Sequence, residues 1–178
     1  EFAPKSMFKV PTAIAVLKAI EDEELSLNTT VTLTPQMLDA EFGLLYKRGA
    51  GAKLTVAELL ELSMIDSDNT ANLALRSTIP FDRIERARLA TGVPYPQANL
   101  SLYVISPKNY ASVFRSLYLS GYLHKPYSEY LLELLSHTKQ KNLLRSGVPK
   151  DVVVAHKIGE DSTVGLYHDC GIVYQIGR

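Results

Sequence analysis

The sequence is short of several things, and each shortage removes a class of function. It holds one cysteine, Cys170, in 178 residues, so no disulfide can form within the chain. A single thiol in a β-run reads as a small buried apolar residue rather than a nucleophile. Net charge is missing too, because 19 Lys and Arg balance 19 Asp and Glu. Nucleic-acid binders carry a basic surplus or stripe; neither is present, so no nucleic-acid partner is expected. No apolar run approaches the roughly 18 residues of a membrane-crossing helix, and no signal peptide, repeat or low-complexity stretch is visible. His124, His137, His156 and His168 show no metal-ligand spacing, so they are read as structural, with neither metal nor cofactor expected. The chain opens five residues before Ser6 and stops just after a β-run; the expectation is a piece of a larger protein.

What is present is apolar content, 46% of the residues, enough for a core and patterned as helices followed by strands. A first helix is predicted from Ser6 to about Glu23, apolar on more than one face and therefore central. Thr55 and Glu58 form a capping-box signature that opens a helix through "VAELLELSMI". "DSDN" interrupts that helix and "TANLALRS" resumes the spacing. "FDRIERARLA" reads as a short helix with Glu85 on a solvated face. Ser106 and Pro107 cap a helix over "KNYASVFRSLYLS", and "PYSEYLLELLSHT" and "KQKNLLRS" read as two more. "DVVVAHKIG" and "HDCGIVYQI" are β-branched runs around a polar turn, hence an antiparallel hairpin. This order gives an α+β class. Residues 1–138 read as a helical lobe and residues 139–178 as part of an α/β lobe.

Three polar clusters interrupt the apolar pattern. Ser6 and Lys9 stand three apart, on one helix face. The first turn of a helix favours negative charge developing on the serine oxygen, and a lysine can take its proton if burial or a second cation lowers its pKa. Alone the pair means little, because S-x-x-K arises by chance about once in a chain this long. Ser67, Asp68 and Asn69 fall where a helix breaks, as short polar side chains that bond nearby backbone do. Lys157 ends a β-run just before Gly159, and glycine on a strand permits close approach.

Taken together and in this order, Ser6-Met7-Phe8-Lys9, Ser67-Asp68-Asn69 and Lys157-Ile158-Gly159 resemble the S-x-x-K, S-D-N and K-T-G set of class A β-lactamases and penicillin-binding proteins. Stretches such as "FKVPTAIAVL", "LTVAELLELSMIDSDNTANLAL" and "ISPKNYASVFRSLY" are similar to that family too, from about Ala3 to Tyr174. The resemblance implies a β-lactamase/transpeptidase-like fold whose sheet lobe is incomplete in this chain. It implies Ser6 as the acylated nucleophile, Lys9 as its activator and Ser67 as proton donor to the leaving nitrogen. Lys157 would attract the substrate carboxylate. Asp68 would hold its loop and Asn69 would bind the substrate's side-chain amide. The backbone N–H groups of Ser6 and Glu160, the latter just past Gly159, would form the oxyanion hole. The partner implied is a β-lactam or a peptidoglycan-type peptide, and the place of action lies outside the cytoplasmic membrane.

Two departures qualify this picture. The family's water-activating glutamate lies between the S-D-N motif and the "SPKNY"-like helix, and here residues 90–105 contain no Asp or Glu. Tyr95, Gln97 and Tyr103 are the polar substitutes available there. Ile158 replaces a hydroxyl residue that would bind the substrate carboxylate, which removes one hydrogen bond. Acylation is therefore expected to survive better than deacylation. The alternative is a non-catalytic binding or interaction domain that keeps the fold.

Overall fold

The computed structural model describes residues 1–93 and 104–175. Helix α1 (Lys9–Glu21) runs through the centre, with Val10, Ala13, Ile14, Val16 and Leu17 all but inaccessible. Around it pack α2 (Val56–Ile65), α3 (Asn69–Arg76), α4 (Phe81–Ala90) and α6 (Lys125–Ser136), while α5 (Pro107–Tyr118) lies against α6. A small antiparallel pair joins β1 (Thr30–Thr32) to β2 (Lys53–Thr55). The long hairpin pairs β3 (Val153–Asp161) with β4 (Leu166–Tyr174), placing Lys157 opposite Cys170 and Gly159 opposite His168. The capping box forms as predicted, with Glu58 N–H donating to Thr55 Oγ1 at 3.2 Å and Thr55 N–H to Glu58 Oε2 at 2.7 Å. Ser106 Oγ likewise accepts from Asn109 N–H at 3.1 Å and caps α5.

The first helix departs from expectation in a useful way. Lys5–Phe8 is a 3₁₀ turn, and the α-helix begins only at Lys9. Pro11 has no N–H to return to the Met7 carbonyl, so an α-turn cannot close there. The freed carbonyl accepts from Tyr110 Oη at 2.6 Å, across from α5. Tyr110→Phe is expected to leave that buried oxygen without this donor and to cost about 1–3 kcal/mol in urea unfolding. An unchanged midpoint would show that the bond contributes nothing. The chain before the turn is also tied down, since Phe2 and Ile105 exchange backbone bonds of 2.9 and 2.8 Å.

Two other expectations change. "KQKNLLRS" forms only a short 3₁₀ turn, Leu143–Gly147, entered through a left-handed Leu143. Leu143 and Leu144 stay exposed, each at 37%, and so short a helix without a buried face is not stable. Glu85 is not on a solvated face. It is largely buried and pairs with Arg88 Nη1 at 2.7 Å, and the arginine is itself almost fully covered. A paired couple one turn apart can enter a core that either charge alone could not.

Candidate active site

Three elements converge on the 3₁₀ turn. The first is the start of α1, which carries Ser6 and Lys9. The second is the break between α2 and α3, which carries Ser67, Asp68 and Asn69. The third is β3, which carries Lys157 and Gly159 and packs along the turn. At the centre Lys9 Nζ donates to Ser6 Oγ at 3.2 Å, to Ser67 Oγ at 3.3 Å and to Asn69 Oδ1 at 2.7 Å. It also donates to the Ser67 carbonyl. Lys157 Nζ donates to Ser67 Oγ at 2.7 Å. Ser67 therefore bridges two ammonium groups, and the chain Ser6–Lys9–Ser67–Lys157 is continuous.

Both lysines are buried, at 4% and 0% exposure for Lys9 and Lys157. Burial pushes the Lys9 ammonium down to about 8, against the pull of the Asp68, Asp39 and Glu41 carboxylates. Burial, and then the neighbouring charge of Lys9, pushes Lys157 down to about 7. Near neutral pH a proton can leave this pair without strong base, which is what serine activation needs.

Backbone geometry is bent to serve the cluster. Ser67 is left-handed at φ 57°, a conformation that costs a residue with a side chain on the order of 1 kcal/mol or more. Asp68 caps α3 by accepting from Ala71 N–H at 2.9 Å and reaches back to Leu45 N–H at 2.8 Å. A Cβ at Gly43, itself at φ 95°, would sit 2.0 Å from that carboxylate. These two bonds tie Asp68 to both the α3 start and the Leu45 turn. Asn69 gives one N–H to Asp39 Oδ1 at 3.0 Å, and its second N–H has no acceptor among the described residues.

Gly159 sets how closely β3 approaches the turn. A Cβ there would lie 2.3 Å from the Pro4 carbonyl oxygen and 3.0 Å from Met7 Cγ. Gly159→Ala is expected to push the strand off the turn and displace Ser6, slowing any acylation at Ser6 by about tenfold or more. Wild-type acylation kinetics in that variant would show that the close approach is dispensable. Ile158 is buried at 1% exposure, and strand alternation turns it to the face opposite Lys157. Its neighbour His156 is also inaccessible, with Nδ1 3.0 Å from both Asp169 oxygens on β4. Cys170 is half-buried, and burial pushes its thiol up to about 11, which leaves it inert.

The cluster opens into a cleft of about 300 Å³ lined by Lys5, Ser6, Phe8, Lys9, Glu41, Phe42, Asn69, Asn72 and Glu160. Sequence reasoning missed Glu41 and Phe42 in the cleft and Asp39 behind Asn69, because their stretch carries no motif, and it missed Asn72, one turn past Asn69, because only the fold shows that this residue faces the cleft. A larger groove of about 450 Å³ lies between α5, α6 and the hairpin edge, lined among others by Tyr118, Leu132, Val153 and Tyr174. None of the clustered polar groups reaches it, so chemistry rather than size identifies the site. Tyr95, Gln97 and Tyr103 lie outside the described residues.

A helical lobe set against an antiparallel hairpin, with this cluster at the junction, is a β-lactamase-like architecture. The chain belongs to the β-lactamase enzyme family, whose model matches residues 1–178. Solved structures agree. It is 29% identical to a β-lactamase from Chitinophaga pinensis, covering 97% of this chain and 71% of that one with a TM-score of 0.80. A β-lactamase from Sphaerobacter thermophilus shares the fold at 22% identity, with a TM-score of 0.87 over 98% of this chain and 70% of its own. A variant of PBP-A, solved as an acyl-enzyme complex with penicillin G, is 23% identical, with a TM-score of 0.83 over 96% and 67%. Against PBP-A itself this chain spans 66% of the length. Among the described residues no helix is long and apolar enough to cross a membrane.

Proposed function

We propose that the protein is a serine acyl-transfer enzyme that attacks β-lactams, or D-Ala-D-Ala-like amides, through Ser6. The observation that carries this reading is the 3.2 Å contact between Ser6 Oγ and the depressed Lys9 amine, within a network that also holds Ser67 and Lys157. Neutral Lys9 takes the proton as Ser6 Oγ bonds to the carbonyl carbon. The backbone N–H groups of Ser6 and Glu160 receive the developing oxyanion; such donors are worth about 10²–10³ in rate. The Ser67 hydroxyl gives its proton to the leaving nitrogen as the C–N bond breaks, and the Lys157 ammonium replaces it. Asn69 offers its spare N–H to the substrate's side-chain carbonyl. Action in the cell envelope, outside the cytoplasmic membrane, is part of the same proposal.

The acyl-enzyme is expected to persist. Residues 90–105 supply no carboxylate, and Glu85, the nearest upstream acid, is tied to Arg88. General-base help to water is worth about 10²–10⁴-fold. With a chromogenic cephalosporin, a burst of one equivalent followed by slow turnover is expected. Rapid linear turnover would overturn the slow-deacylation part, and no colour at all would overturn the enzyme. The second reading, a non-catalytic binding domain, draws on the same acid-free stretch and on Ile158, and it forecasts no colour.

A further inference from the structure

The cleft beside Ser6 carries two carboxylates that act on the buried lysines only at a distance. Glu41 is exposed and Glu160 half-buried, both line the cleft, and neither side chain has an ion pair or hydrogen bond among the described residues. The one cation on the rim, Lys5, is already matched by Asp161 Oδ2 at 2.7 Å. The remaining cleft lysine, Lys9, spends its N–H groups on Ser6, Ser67 and Asn69. A separate observation points the same way. Asn72, 8% exposed, lines the cleft with a buried Oδ1 that has no hydrogen-bond partner among the described residues. A buried acceptor without a donor is costly, and it is relieved by a ligand that brings N–H groups.

We propose that this cleft selects acyl donors that carry a protonated amine, with Glu41 and Glu160 supplying the opposing charge and Asn72 Oδ1 accepting an N–H. The inference rests on the acyl-transfer reading of Ser6 and names its substrate class. It also accounts for the pairing of an acidic mouth with Ile158. Ile158 offers no hydroxyl for an anion, and the carboxylates of Glu41 and Glu160 repel one.

Three penicillins that differ at one carbon test it: ampicillin with an ammonium, penicillin G with hydrogen, carbenicillin with a carboxylate. Second-order acylation rates, read by intact mass at low salt, are expected to fall in that order. The ampicillin-to-carbenicillin ratio should be about tenfold or more. Glu41→Gln should compress the ratio, Glu41→Lys should invert it, and raised ionic strength should compress it in the wild type. Equal rates for all three compounds, or a ratio untouched by both Glu41 variants, would overturn the selection while leaving acylation in place. No adduct with any of the three would take down the acyl-transfer reading and this inference with it.

Discussion

Incubated with penicillin G and weighed intact, the protein is expected to gain the mass of one opened penicillin, and Ser6→Ala to gain nothing. The loss should be complete, because no other hydroxyl in the cluster is placed to attack. Ser67 Oγ is held between two amines and is almost fully buried. Ser6 is half-buried, and the partner of its hydroxyl is Lys9, so the variant should fold. The same experiment run against pH tests the base. With Lys9 at about 8, the neutral amine grows about tenfold per pH step below that value, so acylation should climb from pH 6, peak between about 7 and 8, and fall beyond as Lys157, at about 7, loses the proton it returns to Ser67. A flat profile would remove Lys9 from the role of base, and an adduct on Ser6→Ala would remove Ser6 from the role of nucleophile.

Lys157→Met is expected to make the protein more stable and nearly inactive at once. Moving the ammonium from its ordinary 10.5 to about 7 corresponds to about 5 kcal/mol at pH values below 7. Part of that returns as the bond to Ser67 Oγ, so a net gain on the order of 3 kcal/mol is expected at pH 6. The pH dependence carries the sign. Between about 7 and 10.5 the unfolded lysine holds a proton that the folded one has lost. Wild-type stability should therefore rise with pH across that window, and the variant should show a shallower rise. Acylation should fall by about 10²-fold or more, since Ser67 loses the group that restores its proton. A variant that is less stable than wild type at pH 6 would show that burial does not strain this lysine. The expected trade of stability for function is one a strained active site makes routinely.

Much of the scaffold was legible because its signals are local. The Thr55–Glu58 box, the Ser106–Pro107 cap, the S-D-N break and the β-branched hairpin each state their conformation within a few residues, and each forms. The errors share a cause as well. Glu85 and Arg88 look like a wet face until the fold buries them as a pair, and "KQKNLLRS" has helical spacing but buries none of its turn residues against the hairpin. The 3₁₀ turn at Ser6 was readable from Pro11, whose missing N–H forbids the α-turn, but its consequence, a carbonyl freed for Tyr110, involves a residue about a hundred positions away.

The sequence alone determined which candidate groups are present, their order and the absence of an acid in residues 90–105, because these are matters of composition and spacing. It also placed Gly159 late in a β-run, where a glycine permits close approach. Only the tertiary structure decided that two lysines, far apart in the chain, share one hydroxyl. Their depressed pKa values follow from burial and, for Lys157, from the charge of Lys9 beside it, which exist only once the chain has folded around them. The acidic lining of the cleft, from Glu41 and Glu160, was likewise decided by packing, since nothing along the chain links one carboxylate to the other.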